Sequence, residues 1–442
     1  CSKEFRTLIT QGEVNVGKAF GIKKIEKFFM EIVPNQHAKA YLVGMATDFG
    51  AYDQWKNTKE DMLVKVYTGE NILFAGYVKT AECCFENRIH HIILELVSTT
   101  EGMDRVRKSK SFQDVSASYK EIIEDCVSEE QAACTFDVDE KKIGRPIIRY
   151  RETTWEFAIR MASHFHTVIY PIETASKPSI WFGCKTVGMD TKQIKTESYS
   201  HGIDERYWKV KGKMDAYASD FEYYRVTSYE NLEVGQCVIF DNRKMYILEK
   251  RCKLKNSVLE FEYIVSGRLF LSVPTAYRRG FAGLTVLGKI LCTDGENVKL
   301  HLAIDTDQNA ATAYFYQWVP DTGSVMYCMP EKGTTVSLYF PDEDERNAIA
   351  VSCIRENGAK CQAMTDTEMK NFANPTGKQL YLHPEETGLK MSESDQMIEL
   401  SDARGVDIGG TMKVGIYAAD EIKIEGRCIK IDTPKAVQMV RT

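Results

Sequence analysis

The chain has 442 residues, 43% hydrophobic and 27% charged, which excludes disorder as its organising theme and gives about three domains as a prior. Lys plus Arg number 57 against 63 Asp plus Glu, a formal charge of −6, so a surface dedicated to nucleic acid is not expected. No run approaches the ~18 apolar residues of a membrane-spanning helix.

The thirteen cysteines are scattered, odd in number and free of CxxC pairs, as in a chain folded in a reducing cytoplasm. Cys83 and Cys84 are adjacent and point two ways from one strand. The first five residues contain no signal-peptide core and no Met, so the numbering is expected to begin inside the native or expressed chain.

Residues 28–33 and 40–45 are β-rich and separated by Pro34-Asn35 turn chemistry. Residues 63–67 alternate, a turn follows at 68–71, and 72–78 return as a hairpin partner. With a further strand at 89–97, this spacing suggests a small antiparallel barrel or sandwich. Val115, Tyr119, Ile122, Ile123, Cys126 and Val127 then fall at helical spacing, with Asp114 or Ser116 able to cap the start. Thr153-x-x-Glu156 is a capping box for a second helix, whose apolar face is Trp155, Ile159, Ala162 and Phe165. An extended segment at 168–171 completes a local α/β unit.

From Tyr207 the chain is β-rich again, with a hairpin at 235–240 and 245–248 and a strand at 254–265. Strands expected at 284–291, 298–304, 325–329, 335–340 and 348–352 match a five-stranded Greek-key barrel in count and spacing. From Ile408 to Ile424 the even positions are apolar at Ile408, Met412, Val414, Ile416, Ala418, Ile422 and Ile424. After Gly426 the phase shifts by one, and Ile429 and Ile431 carry the stripe. One chain has little bulk to cover such a face. An edge hairpin on a sandwich is the ordinary reading; an intertwined β-structure of identical chains suits the tail better.

Motifs that carry chemistry are sparse. Gly12-x4-Gly17-Lys18 has P-loop spacing, but Ala19 replaces the Ser or Thr that would hold Mg²⁺. His90 and His91 point to opposite faces of a strand, and His164 and His166 lack the i,i+4 spacing of a chelating helix pair. The acidic run Asp342-Glu343-Asp344-Glu345 reads as a solvated hairpin turn. Catalytic, cofactor-binding and metal-ligating residues are therefore assigned as none.

Three regions resemble the spike proteins of contractile injection systems, VgrG of type VI secretion and the phage-tail hub-and-spike proteins. Gly76-Tyr77-Val78 with the strand at 92–96 is similar to a first hub barrel. Residues 111–114 and 150–160 resemble the helix-bearing segment between hub barrels. Trp318-Val319-Pro320, the Pro330-Glu331-x-Gly333-x-x-Val336 string and the acidic turn at 342–344 resemble the spike OB-fold, and 374–382 the start of a spike β-helix. The resemblance implies a mainly β chain: hub β-barrels at 1–110 and 191–272, an α/β insert at 111–190, an OB-fold neck at 273–372, and an intertwined triple-stranded β-helix at 373–442. It implies a homotrimer that joins a hexameric tail tube to a membrane-puncturing needle, with baseplate proteins and a tip protein or effector as further partners. Such a part is structural rather than enzymatic, assembles in the cytoplasm, and meets the target envelope only transiently. Its tail interior would be Ile408, Met412, Val414, Ile416, Ile422, Ile424, Ile429 and Ile431; Trp318, Pro330, Glu331 and Gly333 would shape the neck. The competing classes are a trimeric β-rich fibre or adhesin and a cell-wall-degrading tail enzyme.

Overall fold

The computed structural model describes residues 8–17, 19–46, 58–59, 61–184, 190–211, 217–322, 328–354, 366–374, 376–391, 396–438 and 440. The chain divides into two compact units, 1–354 and 355–442.

Alternation sets the first strands. Ile22–Ile32 buries Ile22, Ile25, Phe28, Met30 and Ile32, with register shifts where its alternation breaks. It pairs with Lys39–Ala46, which pairs with Ile89–Ser98; Asn71–Glu86, Leu63–Thr68 and Val14–Asn15 follow. The other edge of Ile22–Ile32 would leave a row of backbone donors and acceptors open. Arg243–Lys255 closes it, with Lys250 opposite Ile32 and Cys252 opposite Met30. Val258–Ser266, Glu222–Ser228 and the edge strand Ser198–Ile203 continue the sheet.

The two modules expected as hub β-barrels are joined strand to strand. Both β-rich modules share one twelve-stranded sheet and one apolar core, in which Phe28, Met30 and Leu94 join Ile247, Phe261 and Val265. The reason is the edge of Ile22–Ile32, which the first module leaves for the second to bond.

The insert holds helices α1 (Tyr119–Ser128) and α2 (Thr154–Ser163). Thr153 and Glu156 cap α2 as a capping box. The cap of α1 is Ser118, not Asp114 or Ser116: Ser118 Oγ accepts from Glu121 N at 3.2 Å and Glu121 Oε2 from Ser118 N at 2.6 Å. Asp114 instead accepts from Ser116 N at 3.0 Å, a local turn ahead of the helix. Both helices pack with Ala133–Asp137, Ser179–Gly183 and Ile169–Pro171 around Ile123, Cys126, Phe157 and Met161.

A closed barrel follows. Thr285–Asp294, Asn297–Leu302 and Phe315–Val319 pair in sequence, Phe315–Val319 then pairs with Ile349–Ile354, and Thr335–Tyr339 closes the ring onto the first strand. Its third strand is Phe315–Val319 rather than 325–329. Residues 325–327 lie outside the described residues, and Cys328 and Met329 carry no strand. Phe315–Val319 wins because Tyr316 and Trp318 alternate inward and Phe315 and Gln317 outward. The second unit is an open antiparallel meander of Lys370–Ala373, Gln379–Leu382, Glu386–Lys390, Met397–Ser401 and Gly405–Gly409. No helix among the described residues is long and apolar enough to cross a membrane.

Candidate assembly interface

The meander has two unlike faces. Its register aligns Phe372, Leu380, Leu389, Ile398 and Ile408 in one row, with Leu382, Leu400 and Val406 beside it. All eight side chains are 42–65% exposed. The opposite face carries Asn371, Tyr381, Gly388, Glu399 and Asp407. There Tyr381 Oη donates to Glu399 Oε2 at 2.7 Å, and Arg404 pairs with the same carboxylate. Gly388 makes this possible, because a Cβ would lie 2.4 Å from the Ile398 carbonyl oxygen and 2.8 Å from the Tyr381 hydroxyl. The polar row is satisfied within the chain and the apolar row is left open, the reverse of an ordinary one-sided sheet.

Beyond Gly409, residues 410–438 pair with no strand among the described residues. Met412, Val414, Ile416, Ile422, Ile424, Ile429 and Ile431 are 49–90% exposed. On the other side of the tail, Lys423 meets Glu425 at 2.6 Å and Lys430 meets Asp432 at 3.6 Å. Such i,i+2 pairs belong to an extended backbone, where residues two apart share a side. The segment thus carries strand-like patterning, interrupted by bends at 411–412 and 419–420, without a strand partner among the described residues.

In the barrel, Trp318 is buried in the core and Pro330 is buried, while Glu331 and Gly333 are exposed at a turn. Thr334 N donates to Glu331 O at 3.1 Å and Gly333 N to Ile290 O at 2.8 Å. Gly333 has φ +87° with open space around it, a turn position that favours glycine for its backbone alone.

The seam between insert and barrel is polar and buried. Ser111 donates its N and Oγ to Asp305, each at 2.6 Å, and Gln113 Nε2 donates to Leu300 O at 3.1 Å. At the centre, Arg160 of α2 donates to both oxygens of Glu152 at 2.9 and 2.8 Å, to Ile148 O at 2.9 Å and to Glu345 Oε1 at 2.5 Å. All three charged side chains are buried. The acidic run at 342–345 is therefore not simply a solvated turn. Asp342 and Glu343 face water, but Glu345 is drawn in by Arg160, a charge that burial makes costly unless paired. Burial alone would weaken the guanidinium's hold on its proton; Glu345 and Glu152 more than offset this and raise its pKa above the ordinary arginine value.

These geometries bear a close fold likeness to known proteins. A component of the E. coli type VI secretion system, described as similar in structure to T4 bacteriophage tail proteins gp27 and gp5, superposes with TM-score 0.56 at 10% identity, covering 77% of this chain and 99% of that one. The lidded Francisella PdpA–VgrG complex gives TM-score 0.57 at 8% identity over 87% of this chain and 76% of that one. Its half-lidded form gives 0.54 at 7% identity, over 87% and 83%. The fold is VgrG-like. No protein-family model matches the sequence. No curated protein matches it either.

The remaining motifs find ordinary places within this VgrG-like fold. Gly12 lies within a short 3-10 turn, Gln11–Glu13, and Gly17 follows the edge strand Val14–Asn15, with no buried strand leading into a helix; Lys18 lies outside the described residues. His91 Nδ1 meets Glu26 at 2.7 Å, whereas His90 stacks near Phe85, so the two rings do diverge. Among the described residues no group of three His, Cys, Asp or Glu side chains is placed to hold a metal ion.

Proposed function

We propose that the chain is the hub-and-spike subunit of a contractile injection machine, working as a homotrimer. The observation that carries this reading is the apolar alternation from Met412 to Ile431, exposed and without a strand partner among the described residues. In a wound needle of three chains, Ile408, Met412, Val414, Ile416, Ile422, Ile424, Ile429 and Ile431 face inward. Each fully buried Ile or Val then contributes roughly 1.5–3 kcal/mol, offset in part by the cost of ordering the chain. Backbone groups of residues 410–438 gain partners from neighbouring chains, which removes free edges and makes the needle stiff.

In this reading the twelve-stranded sheet lines the hub and meets the hexameric tail tube and baseplate proteins. The closed barrel is the OB-fold neck, where Trp318 anchors the core and Pro330, Glu331 and Gly333 shape a turn without chemistry. The needle carries a tip protein or effector and touches the target envelope transiently; nucleic acid, cofactor and catalysis play no part. The subunit assembles in the cytoplasm and leaves as part of a phage-like particle or injected tube. The likeness to the type VI and PdpA–VgrG structures supports the assignment through fold. Light scattering on the purified protein tests it: the expected mass is three times the 50.3 kDa chain, and a stable monomer at micromolar concentration would overturn it.

A further inference from the structure

We propose that His164, just past the end of α2 and one turn beyond Arg160, is the proton-sensitive trigger of a latch, the Glu152–Arg160–Glu345 cluster, that holds the five-stranded barrel to the helical insert and opens in acid. The two carboxylates that neutralise Arg160 come from opposite sides of the seam: Glu152 ends the insert strand Ile147–Glu152, and Glu345 lies in the barrel's last crossing. Arg278 adds a second cation 3.2 Å from Glu152. Glu345 is thus the partner that ties the Arg160 cation across the seam, and a second cation placed beside Arg160 opposes that tie.

His164 is the proton-sensitive group beside this contact. Its Nδ1 lies 2.9 Å from Tyr119 Oη, and its buried Nε2 has no hydrogen-bond partner. The groups around it are mostly positive: Arg160, Arg346 and Lys141, with the Tyr277 ring beside it and Asp344 engaged by Arg346. An imidazolium there would face three cations in a desolvated site. Burial first, then Arg160, holds its pKa down to about 4 from an ordinary 6.5. Between those values the unfolded chain binds a proton that the folded chain refuses. The His164 contribution to stability is therefore complete above about 6.5 and is lost as the pH falls toward about 4. The seam's half-buried carboxylate, Asp305, is pushed upward by desolvation and so acts in the opposite sense.

Hydrogen exchange on the full chain tests the latch and reads the seam within each chain, whether or not the tail assembles. From about pH 7.5 to about pH 4.5, protection in α2 and Ile349–Ile354, corrected for intrinsic rates, should fall about tenfold, while Ile89–Ser98 changes less than about twofold. Glu345→Gln should show the loosened seam already at the higher pH. His164→Gln, which can still bond Tyr119 but cannot charge, should keep its protection to lower pH than the wild type, and it carries the test if Glu345→Gln folds poorly. A wild-type seam indifferent to pH, a Glu345→Gln seam as tight as the wild type, or a His164→Gln profile that tracks the wild type would each overturn the proposal.

Discussion

In the closed barrel, Val286, Leu300, Trp318, Leu338 and Ala350 alternate with more exposed neighbours and meet one another inside. In the C-terminal sheet, Leu380, Leu389, Ile398 and Ile408 alternate as regularly and meet solvent. Period-two patterning specifies a strand with an apolar side, but it does not say what covers that side. The barrel supplies its own cover because Thr335–Tyr339 returns to bond Thr285–Asp294; the meander stays open from Lys370 to Gly409, and the tail beyond has no strand partner among the described residues. The contrast locates self-sufficiency in the first unit and an uncovered apolar side in the second.

The sharpest way to break this contrast is to place charge on the tail's apolar side. Ile422→Asp combined with Ile424→Asp should cost several kcal/mol for each unpaired buried carboxylate. Limited proteolysis should then trim the chain beyond Gly409 and leave the twelve-stranded sheet intact. On the self-sufficient side, Gly333→Val should destabilise the barrel by about 1–3 kcal/mol through its positive φ, seen as a lower calorimetric transition, whereas Glu331→Gln should leave it unchanged. Ser118→Ala removes half of the α1 capping box and should cost about 1 kcal/mol by denaturant titration. The smallest effect belongs to the tail's solvent side: Lys423→Ala with Glu425→Ala should alter stability by less than about 0.5 kcal/mol and leave proteolysis unchanged, because both side chains are exposed.

What was legible in the sequence followed from local chemistry. The α2 start reads directly from Thr153 and Glu156, and the hub strands from their alternation. Ser118 and Glu121 have the same capping spacing, yet Val115 as a first apolar residue favours Asp114 or Ser116 on pattern alone. Phe315–Val319 was equally readable as an aromatic alternation, and the apolar stretch near 325–329 competes with it. Other features depend on partners far along the chain. Nothing near Glu345 distinguishes it from Asp342 until Arg160, 185 residues away, is brought beside it. The merging of two β modules likewise rests on Ile22–Ile32 meeting Arg243–Lys255. For the candidate interface, the alternation from Ile408 onward marked the stripe, but the apolar row that precedes it on the meander emerged only from strand register.

In the proposed trimer, other copies of the chain cover and pair the tail. Hydrogen exchange across residues 410–438 of the full-length protein, at micromolar concentration, tests it most directly. Slow exchange is expected there, comparable with Ile89–Ser98, although among the described residues no strand pairs with the segment. Exchange at unstructured rates through the tail, beside a protected hub sheet, would contradict it.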